Sequence, residues 1–443
     1  MKPIIIKNAC IITGAGSVYP NGSIYMRDGK IATLGTSIKT PRASDTISID
    51  AGGRYVLPGF INPHMHLYSA LACGMQVSRM RSFGQVLEGL WWKLDRALTL
   101  EEIYVSALLG STASIRAGVT TIFDHHASYG AIMGSLGAIS KAISETGLRA
   151  CLCFEISDRN GRRARDMALD ESASWLEVVR TEAHTNTKFM QRGMVGLHAS
   201  MTLSDSSLSI ARELMNLYGV GAHVHVAEGM QDVKASRKEF GLSPVARFAK
   251  AGILNNCSIA AHCVHTDDRD INLLSKRDLC VAHNPLSNLN NAVGIAPILK
   301  MVHKGVACCV GTDGMSASVA GDIKLASVVH KIASSDAQAG WDEMRYMVWS
   351  VAPWIASSYF GCDVGVLRKG AAADVIVMDA VPDTPLSKEN ALGHLLFRIL
   401  DAPVRTTIVG GRIRMRDFMI KGVDELDLAQ RAHKLAKALW RRI

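Results

Sequence analysis

Histidines and carboxylates with the spacing of metal ligands recur at four places along this 443-residue chain. In the sequence PHMH, His64 and His66 stand two residues apart on an extended segment, so both side chains point to one side and reach one metal ion. In HVHVAE, His223 and His225 share a face in the same way, and Glu228 follows where the chain turns. Such pairs also arise by chance, so each motif alone is a weak indication, and a packed role is favoured for His223.

The third and fourth motifs are AHCVH, which contains His262, and GTDG, which contains Asp313. Neutral imidazoles and one carboxylate around an open position make up a catalytic zinc site, or a ferrous one. Such a metal lowers the pKa of a bound water towards ~7 and makes hydroxide available at neutral pH. Glu228, close in sequence to a ligand candidate, is placed to move a proton between water, substrate nitrogen and leaving group.

A short apolar run precedes each motif, and eight such runs occur between residues 55 and 312. Each is followed by a segment long enough for a helix; the clearest is residues 99–117, with Thr99 as N-cap and Gly118 past the end. Eight strand–helix units in about 250 residues predict an α/β fold, a (β/α)₈ TIM barrel with its active site at the C-terminal ends of the strands. The predicted strands are residues 55–61, 119–123, 148–156, 195–198, 220–227, 258–262, 279–283 and 306–311.

Both ends of the chain have β character instead. Residues 1–55 contain β-branched runs and a hairpin signal at Asp28-Gly29, and residues 363–420 contain AADVIVMD and TTIVGGRIRM. We therefore predict one small β-sandwich domain from residues 1–55 and 363–420, a barrel over residues 56–362 and a C-terminal helix over residues 421–443. A doubly wound sheet lacks support, because Gly14–Gly16 has neither a third glycine at the required offset nor a following helix.

Composition limits the partners and the compartment. The 49 Lys and Arg exceed the 40 Asp and Glu, but they are scattered, so no nucleic-acid partner is expected. No apolar run approaches the ~18 residues that span a bilayer, and the opening MKPIIIKNACIIT lacks the apolar core of a signal peptide, so we expect a cytoplasmic protein without a membrane partner. Ten cysteines are too dilute for a disulfide scaffold. Buried free thiols are expected at Cys151, Cys153, Cys308 and Cys309.

In this order, HMH after PGFINP, HVHVAE, AHCVH, VAHNPLSNLN and GTDG resemble the amidohydrolase superfamily. They are most similar to its branch of mononuclear deaminases and chlorohydrolases that act on aromatic N-heterocycles. Within that branch, LWWKLDRAL, DHHAS and CFEISDRNG resemble the SsnA-type aminohydrolases. The resemblance covers nearly the whole chain, including GAAADVIVMD near its end.

The resemblance implies roles for six residues. The metal ligands would be His64, His66, His225 and Asp313; Glu228 would be the proton shuttle; and His262 would orient the water or polarise the substrate. Binuclear relatives carry a carboxylated lysine at the end of strand four, but residues 195–202 contain no lysine. One divalent metal per chain is therefore expected, with zinc favoured and ferrous iron compatible. Metal-activated water would attack an amidine-like carbon, Asp313 would take the proton of the water, and ammonia would leave.

Five residues are candidates for substrate contact. The resemblance places His198, in GLHASMT, against the substrate, and His283 follows strand seven beside a polar loop. His125 and His126 both follow strand two, where at least one of them could contact substrate, and Arg159 follows strand three, where it could bind an anionic or carbonyl-rich group. The alternatives are a loop-stabilising role for His283, a packed role for one of the pair at strand two, and a surface ion pair for Arg159. Trp91-Trp92 belongs either to a lid or to a packed interface.

The sequence thus predicts a metal-dependent aminohydrolase that cleaves a C–N bond in a small purine- or pyrimidine-like heterocycle and releases ammonia. The same groups could instead remove halide or alkylamine, or open a cyclic amide. A metal-containing protein that binds a ligand without turnover is a further alternative, disfavoured because a pure binder has no need of Glu228. Homo-oligomers are common among similar proteins, and the sequence indicates no particular interface.

Overall fold

The structure is a computed structural model, and it describes residues 1–39, 45–186, 189–255 and 257–443. Its strands fall into an N-terminal group, a central group and a C-terminal group. The first group is β1 (Ile4–Ile12), β2 (Val18–Arg27), β3 (Lys30–Gly35), β4 (Ile47–Asp50) and β5 (Tyr55–Pro58). The second is β6 (Phe60–Met65), β7 (Val119–His126), β8 (Arg149–Ile156), β9 (Gln191–Gly193), β10 (Val195–Leu197), β11 (Ala222–Val226), β12 (Ser258–His262), β13 (Leu279–His283) and β14 (Ala307–Val310). The third is β15 (Val375–Met378), β16 (Val404–Val409), β17 (Arg412–Arg416) and β18 (Met419–Ile420).

The central strands form a parallel barrel in the order β6-β7-β8-β10-β11-β12-β13-β14, and the short β9 pairs with β8. The barrel closes where Met65 bridges Asp313, because the backbone N–H groups of Thr312 and Asp313 both donate to the carbonyl of His64 at 3.0 Å. The strands are buried along their length, which is why the sequence shows them as apolar runs rather than alternating ones. The predicted (β/α)₈ barrel is confirmed.

One apolar run serves two sheets. Residues 55–61 were expected to be a single barrel strand, but β5 pairs with β1 and β15, and only β6 enters the barrel. The break falls at Gly59, where a Cβ would lie only 2.1 Å from the Thr120 side chain, so the chain changes sheets at a residue that has none. The boundary at residue 56 remains a prediction, although β5 extends the terminal sheet to Pro58.

The terminal sheet joins both ends of the chain in the order β18-β17-β16-β15-β5-β1-β2-β3, with β4 beside β1. The expected hairpin joins β2 to β3, and both turn residues, Asp28 (φ 53°) and Gly29 (φ 77°), adopt the left-handed backbone that such a turn requires. Side chains from both ends, among them Ile6, Ile24 and Val377, form a core separate from that of the barrel, as expected for a small sandwich.

Helices follow the barrel strands and cover the barrel. Their bounds are α1 (Phe83–Val86), α2 (Trp92–Ala97), α3 (Leu100–Arg116), α4 (Ser135–Thr146), α5 (Arg162–Thr185), α6 (Asp205–Tyr218), α7 (Met230–Phe240), α8 (Pro244–Ala251), α9 (Asp268–Leu274), α10 (Pro285–Asn290), α11 (Ile298–His303), α12 (Val319–Ser334), α13 (Trp341–Tyr346), α14 (Ala352–Phe360), α15 (Ala391–His394) and α16 (Glu425–Trp440). Short 3₁₀-helices span Leu67–Ala72 and Ser200–Thr202, and π-helical turns span Leu87–Trp91, Met347–Val351 and Leu395–Ile399.

Helix α3 begins where the sequence predicts. Thr99 accepts from the Glu102 N–H, and the Glu102 carboxylate accepts from the Thr99 N–H at 2.9 Å, which makes a reciprocal capping box. The C-terminal helix α16 lies against this region, with Trp440 donating to the carbonyl of Leu71 at 2.8 Å. Within the described ranges, no helix combines the length and apolar character needed to cross a bilayer.

Candidate active site

Four strand ends deliver polar side chains to one end of the barrel. His64 lies in β6 and His66 just after it, His225 lies in β11, His262 ends β12, and Asp313 follows β14. These are C-terminal strand ends, where barrels of this kind build their active sites.

Their imidazole and carboxylate atoms converge. Nε2 of His66 lies 2.9 Å from Oδ1 of Asp313 and 3.4 Å from Nε2 of His225, and Nε2 of His64 lies 3.7 Å from the same Asp313 oxygen. His64, His225 and His262 also each offer a ring nitrogen within 4.8 Å of the others. Nitrogen donors and one carboxylate at these separations can hold one divalent cation.

The opposite ring nitrogens of three histidines are bonded outward. Nδ1 of His66 donates to the carbonyl of His125 at 2.5 Å, and Nδ1 of His225 donates to the carbonyl of His198 at 3.0 Å. Nδ1 of His64 lies 2.8 Å from Nε2 of His223. A proton on each Nδ1 leaves a lone pair on each Nε2, and such outer hydrogen bonds fix the tautomer of metal-binding histidines. Nε2 of His64 is buried and has no hydrogen-bond partner in the described residues, as a ligand atom aimed at a cation would be.

His262, Glu228 and Asp313 meet beside this cluster. Nε2 of His262 lies 3.6 Å from Glu228 Oε2 and 3.9 Å from Asp313 Oδ2. Burial, followed by repulsion from Asp313, raises the pKa of Glu228 well above its usual range. Nδ1 of His262 lies 2.8 Å from Oδ1 of Asn288, an acceptor. That bond keeps the proton on Nδ1 and leaves Nε2 as an acceptor facing the two carboxyl groups.

A cavity opens beside these groups. Among the expected substrate contacts, His198 and Arg159 line it, as do Trp91 and Trp92. Nδ1 of His198 lies 2.7 Å from the Thr202 hydroxyl oxygen and forms a hydrogen bond with it. Because Trp91 and Trp92 line the cavity, both belong to its wall.

His125 and His283 occupy different places from those expected. Both are fully buried and neither is among the residues that line the cavity. Nε2 of His125 lies 3.1 Å from the carbonyl of Leu197, and Nε2 of His283 lies 3.2 Å from Nε2 of His330. Both rings are buried beside other polar groups rather than exposed in the cavity, and their contact with substrate stays a prediction.

Arg159 is neither a surface residue nor a free charge. The exposed fraction of its side chain is 7%, and it forms ion pairs with Asp95 and with Glu155, the latter at 3.0 Å. Sequence reasoning missed both carboxylates as cavity residues, although each lies inside a string already singled out, LWWKLDRAL for Asp95 and CFEISDRNG for Glu155. It also missed Asn288 as the partner of His262, for which its place in VAHNPLSNLN was the available signal.

The family model for the amidohydrolase family matches residues 55–414, most of the chain. The chain belongs to the amidohydrolase family. A 5′-deoxyadenosine deaminase of Methanosarcina barkeri is 31% identical over 454 residues, covering all of both chains. A 5-methylthioadenosine/S-adenosylhomocysteine deaminase of Thermococcus sibiricus is 30% identical over 423 residues, covering 93% of this chain and 94% of the relative.

Solved structures agree on the fold of this amidohydrolase. A zinc-bound adenosine deaminase of Xanthomonas campestris superposes with a TM-score of 0.83 at 20% identity, covering 99% of both chains. A zinc-bound atrazine chlorohydrolase of Arthrobacter aurescens superposes with a TM-score of 0.82 at 21% identity, covering 98% of this chain and 100% of the other. As an amidohydrolase with deaminase relatives, the chain is a metal-dependent hydrolase that acts on carbon–nitrogen bonds other than peptide bonds.

Proposed function

We propose that this amidohydrolase is a deaminase that holds one zinc ion per chain and hydrolyses the exocyclic amine of an adenine-like purine in a nucleoside. The observation that carries the proposal is the meeting of Glu228, His262 and Asp313 next to the histidine cluster, with Glu228 and Asp313 lining the cavity. The names of the two deaminase relatives support the purine nucleoside as substrate class.

In this proposal His64, His66, His225 and Asp313 hold the metal. The lone pairs on the three Nε2 atoms, of which that of His64 has no hydrogen-bond partner in the described residues, fit a cation with nitrogen and carboxylate ligands. When bound, zinc lowers the pKa of a water at such a site to about 7, which provides a nucleophile at neutral pH. The absence of lysine from residues 195–202 supports one metal rather than two.

The remaining groups position the water and move its protons. Nε2 of His262 accepts a hydrogen bond from the attacking water, because its Nδ1 proton is committed to Asn288. The Asp313 carboxylate takes a proton from that water. Glu228, whose pKa is raised by burial, donates a proton to the ring nitrogen that receives the C=N electron pair when the amidine carbon is attacked. The amine then takes the proton that Asp313 removed from water and leaves as ammonia, while the added hydroxyl gives its proton back to Glu228 and becomes the ring carbonyl.

The experiment is ammonia release by zinc-loaded protein from adenosine, 5′-deoxyadenosine, 5′-methylthioadenosine and S-adenosylhomocysteine, with guanine and cytosine as other ring classes. Release from at least one adenine nucleoside is expected. Glu228→Gln should lower kcat by 10²-fold or more while zinc content stays at one per chain, since general acid–base groups contribute roughly 10²–10⁴-fold. Glu239→Gln, which removes an exposed carboxylate, is the control and should behave as wild type. The proposal is contradicted if no compound of the panel releases ammonia, or if Glu228→Gln leaves kcat unchanged.

A further inference from the structure

Two strings that resemble the SsnA-type proteins, LWWKLDRAL and CFEISDRNG, meet in the fold. They are 64 residues apart at Asp95 and Arg159, yet these side chains are paired, and Glu155 completes the cluster with an oxygen 3.0 Å from the same guanidinium nitrogen. All three line the catalytic cavity. The Arg159 guanidinium lies 5.2 Å from the ring centre of Trp92 and 4.5 Å from that of Tyr129. We call Trp92, Asp95, Glu155 and Arg159 the acidic subsite.

Above the pKa of Asp95, which burial raises to about 7, the charge balance of this subsite is negative. One guanidinium faces two carboxylates, and the exposed side-chain fractions are 7% for Arg159, 2% for Asp95 and 5% for Glu155. The positive charge is therefore already matched at short range, in surroundings where charges interact more strongly than in water. An anionic group brought beside Arg159 would also come close to both carboxylates. Arg159 thus differs from an arginine that is available to a carboxylate or phosphate of a ligand.

The subsite nevertheless contains donors and an acceptor that a ligand could use. Asp95 Oδ1, Arg159 Nε and Nη1, and Trp92 Nε1 are buried without hydrogen-bond partners in the described part of the chain. Buried polar atoms are seldom left unpaired in folded proteins, and each unpaired one costs about 1–3 kcal/mol. One acceptor beside several donors matches an uncharged group that carries a donor next to an acceptor.

The subsite lies close to the reacting groups. Nδ1 of His125 is 3.9 Å from Glu155, and the His125 ring centre is 4.5 Å from that of His225. On the other side, the Trp92 ring centre is 6.1 Å from that of His198. Glu228 lines the same cavity as the subsite, so a substrate with its amine-bearing carbon near Glu228 can extend to the subsite.

We infer that the acidic subsite selects substrates by charge: it takes an uncharged part of the substrate that carries a hydrogen-bond donor beside an acceptor, and it disfavours a carboxylate or phosphate. A lactam edge of the ring and the hydroxyls of a ribosyl group share this chemistry. The inference rests on the proposed function for the identity of the substrate, but it can be tested through binding alone. Among adenine nucleosides, an uncharged one such as 5′-deoxyadenosine is expected to be a better substrate than one bearing a 5′-carboxylate.

The first test measures affinities of inosine and of its 5′-carboxylate for zinc-loaded protein at pH 8 by calorimetry, so it requires no turnover. Inosine should bind at least tenfold more tightly. Asp95→Asn and Glu155→Gln each remove one carboxylate with little change of shape, and each should narrow that ratio by about tenfold. Asp170→Asn removes an exposed carboxylate from α5 and should leave the ratio unchanged. Thermal unfolding shows whether each variant is folded. If either Asp95→Asn or Glu155→Gln fails to fold, the other still tests the inference.

The second test locates the uncharged group. Asp95→Ala removes the acceptor and should weaken the binding of inosine by about tenfold. If the binding of hypoxanthine weakens equally, the contact is with the ring edge. If only the binding of inosine weakens, the contact is with the ribosyl hydroxyls. Three results would overturn the inference. The first is that the 5′-carboxylate binds as tightly as inosine or more tightly, and the second is that the ratio of the two affinities stays the same in both Asp95→Asn and Glu155→Gln. The third is that neither compound binds at all. Ammonia release, measured separately, reports on the proposed function, so the two can fail independently.

Discussion

Replacing His223 by leucine should weaken zinc binding although His223 is not a proposed ligand. His223 is almost fully buried, and its Nε2 is the partner of His64 Nδ1 at 2.8 Å. Leucine offers no acceptor, so the Nδ1 proton of His64 would be left unpaired in the barrel interior. Unpaired buried donors cost about 1–3 kcal/mol. Loss of an outer partner of a metal-binding histidine typically costs 10–100-fold in metal affinity, which is about 1.4–2.8 kcal/mol, in agreement with the first figure.

The assay is competition for zinc between the protein and a chromogenic chelator, which yields the Kd directly. His223→Gln is the matched control, because its amide oxygen can accept the same hydrogen bond, and it should recover most of the affinity. Thermal unfolding of the zinc-free proteins separates a loss of metal affinity from a loss of fold. A stable His223→Leu protein with wild-type zinc affinity would refute the reasoning, and so would a glutamine variant as weak as the leucine one.

Four further results are expected. Removing zinc with a chelator should lower the Tm, since a metal at 100 times its Kd stabilises by about 2.7 kcal/mol, and metal analysis of the loaded protein should give one zinc per chain. Asn288→Leu should lower kcat with zinc content retained, because Nδ1 of His262 loses its acceptor. Thr99→Ala should cost about 1 kcal/mol of unfolding free energy in denaturant titrations, because it removes a helix cap. Burial raises the pKa of Asp95 to about 7, so the folded chain holds this proton more tightly than the unfolded one and loses stability between pH 4 and pH 7; thermal unfolding of Asp95→Asn should show a smaller fall over that range.

The barrel is predictable from sequence because its strands are buried on both faces and so read as separate apolar runs. The two departures have local causes. The run over residues 55–61 is continuous in composition, and only the close approach of Gly59 to Thr120 divides it between two sheets. The short β9, Gln191–Gly193, contains two polar residues and lacks the apolar signature altogether.

The candidate site is predictable where it depends on strand ends. His64, His66, His225, His262 and Asp313 come together because parallel strands present their C-terminal ends at one edge. The acidic subsite could not be found in this way. Asp95 lies on a short helix, where a carboxylate is usually a solvated residue, and nothing local marks it as the partner of Arg159. His125 and His283 also end strands, but a strand end alone does not tell whether a side chain faces the cavity or the barrel interior.

The strand ends that hold the reacting groups carry backbone strain. Ala227 (φ 48°), His262 (φ 73°) and Asp313 (φ 55°) adopt left-handed conformations, which cost residues other than glycine about 1–2 kcal/mol. Neighbouring backbone bonds maintain them: Cys263 N–H donates to the carbonyl of Val226 at 2.9 Å, and Asp313 N–H donates to that of His64 at 3.0 Å.

Such strain persists only where the surrounding structure fixes the conformation, and here the barrel does so. The barrel sheet therefore fixes the positions of the groups that are proposed to move protons. The acidic subsite, in contrast, joins the end of β8 to the helical segment after β6. Substrate choice can thus change through residues such as Asp95 and Trp92 without disturbing the strand ends, which is why the two isosteric variants are expected to alter selectivity while zinc binding is retained.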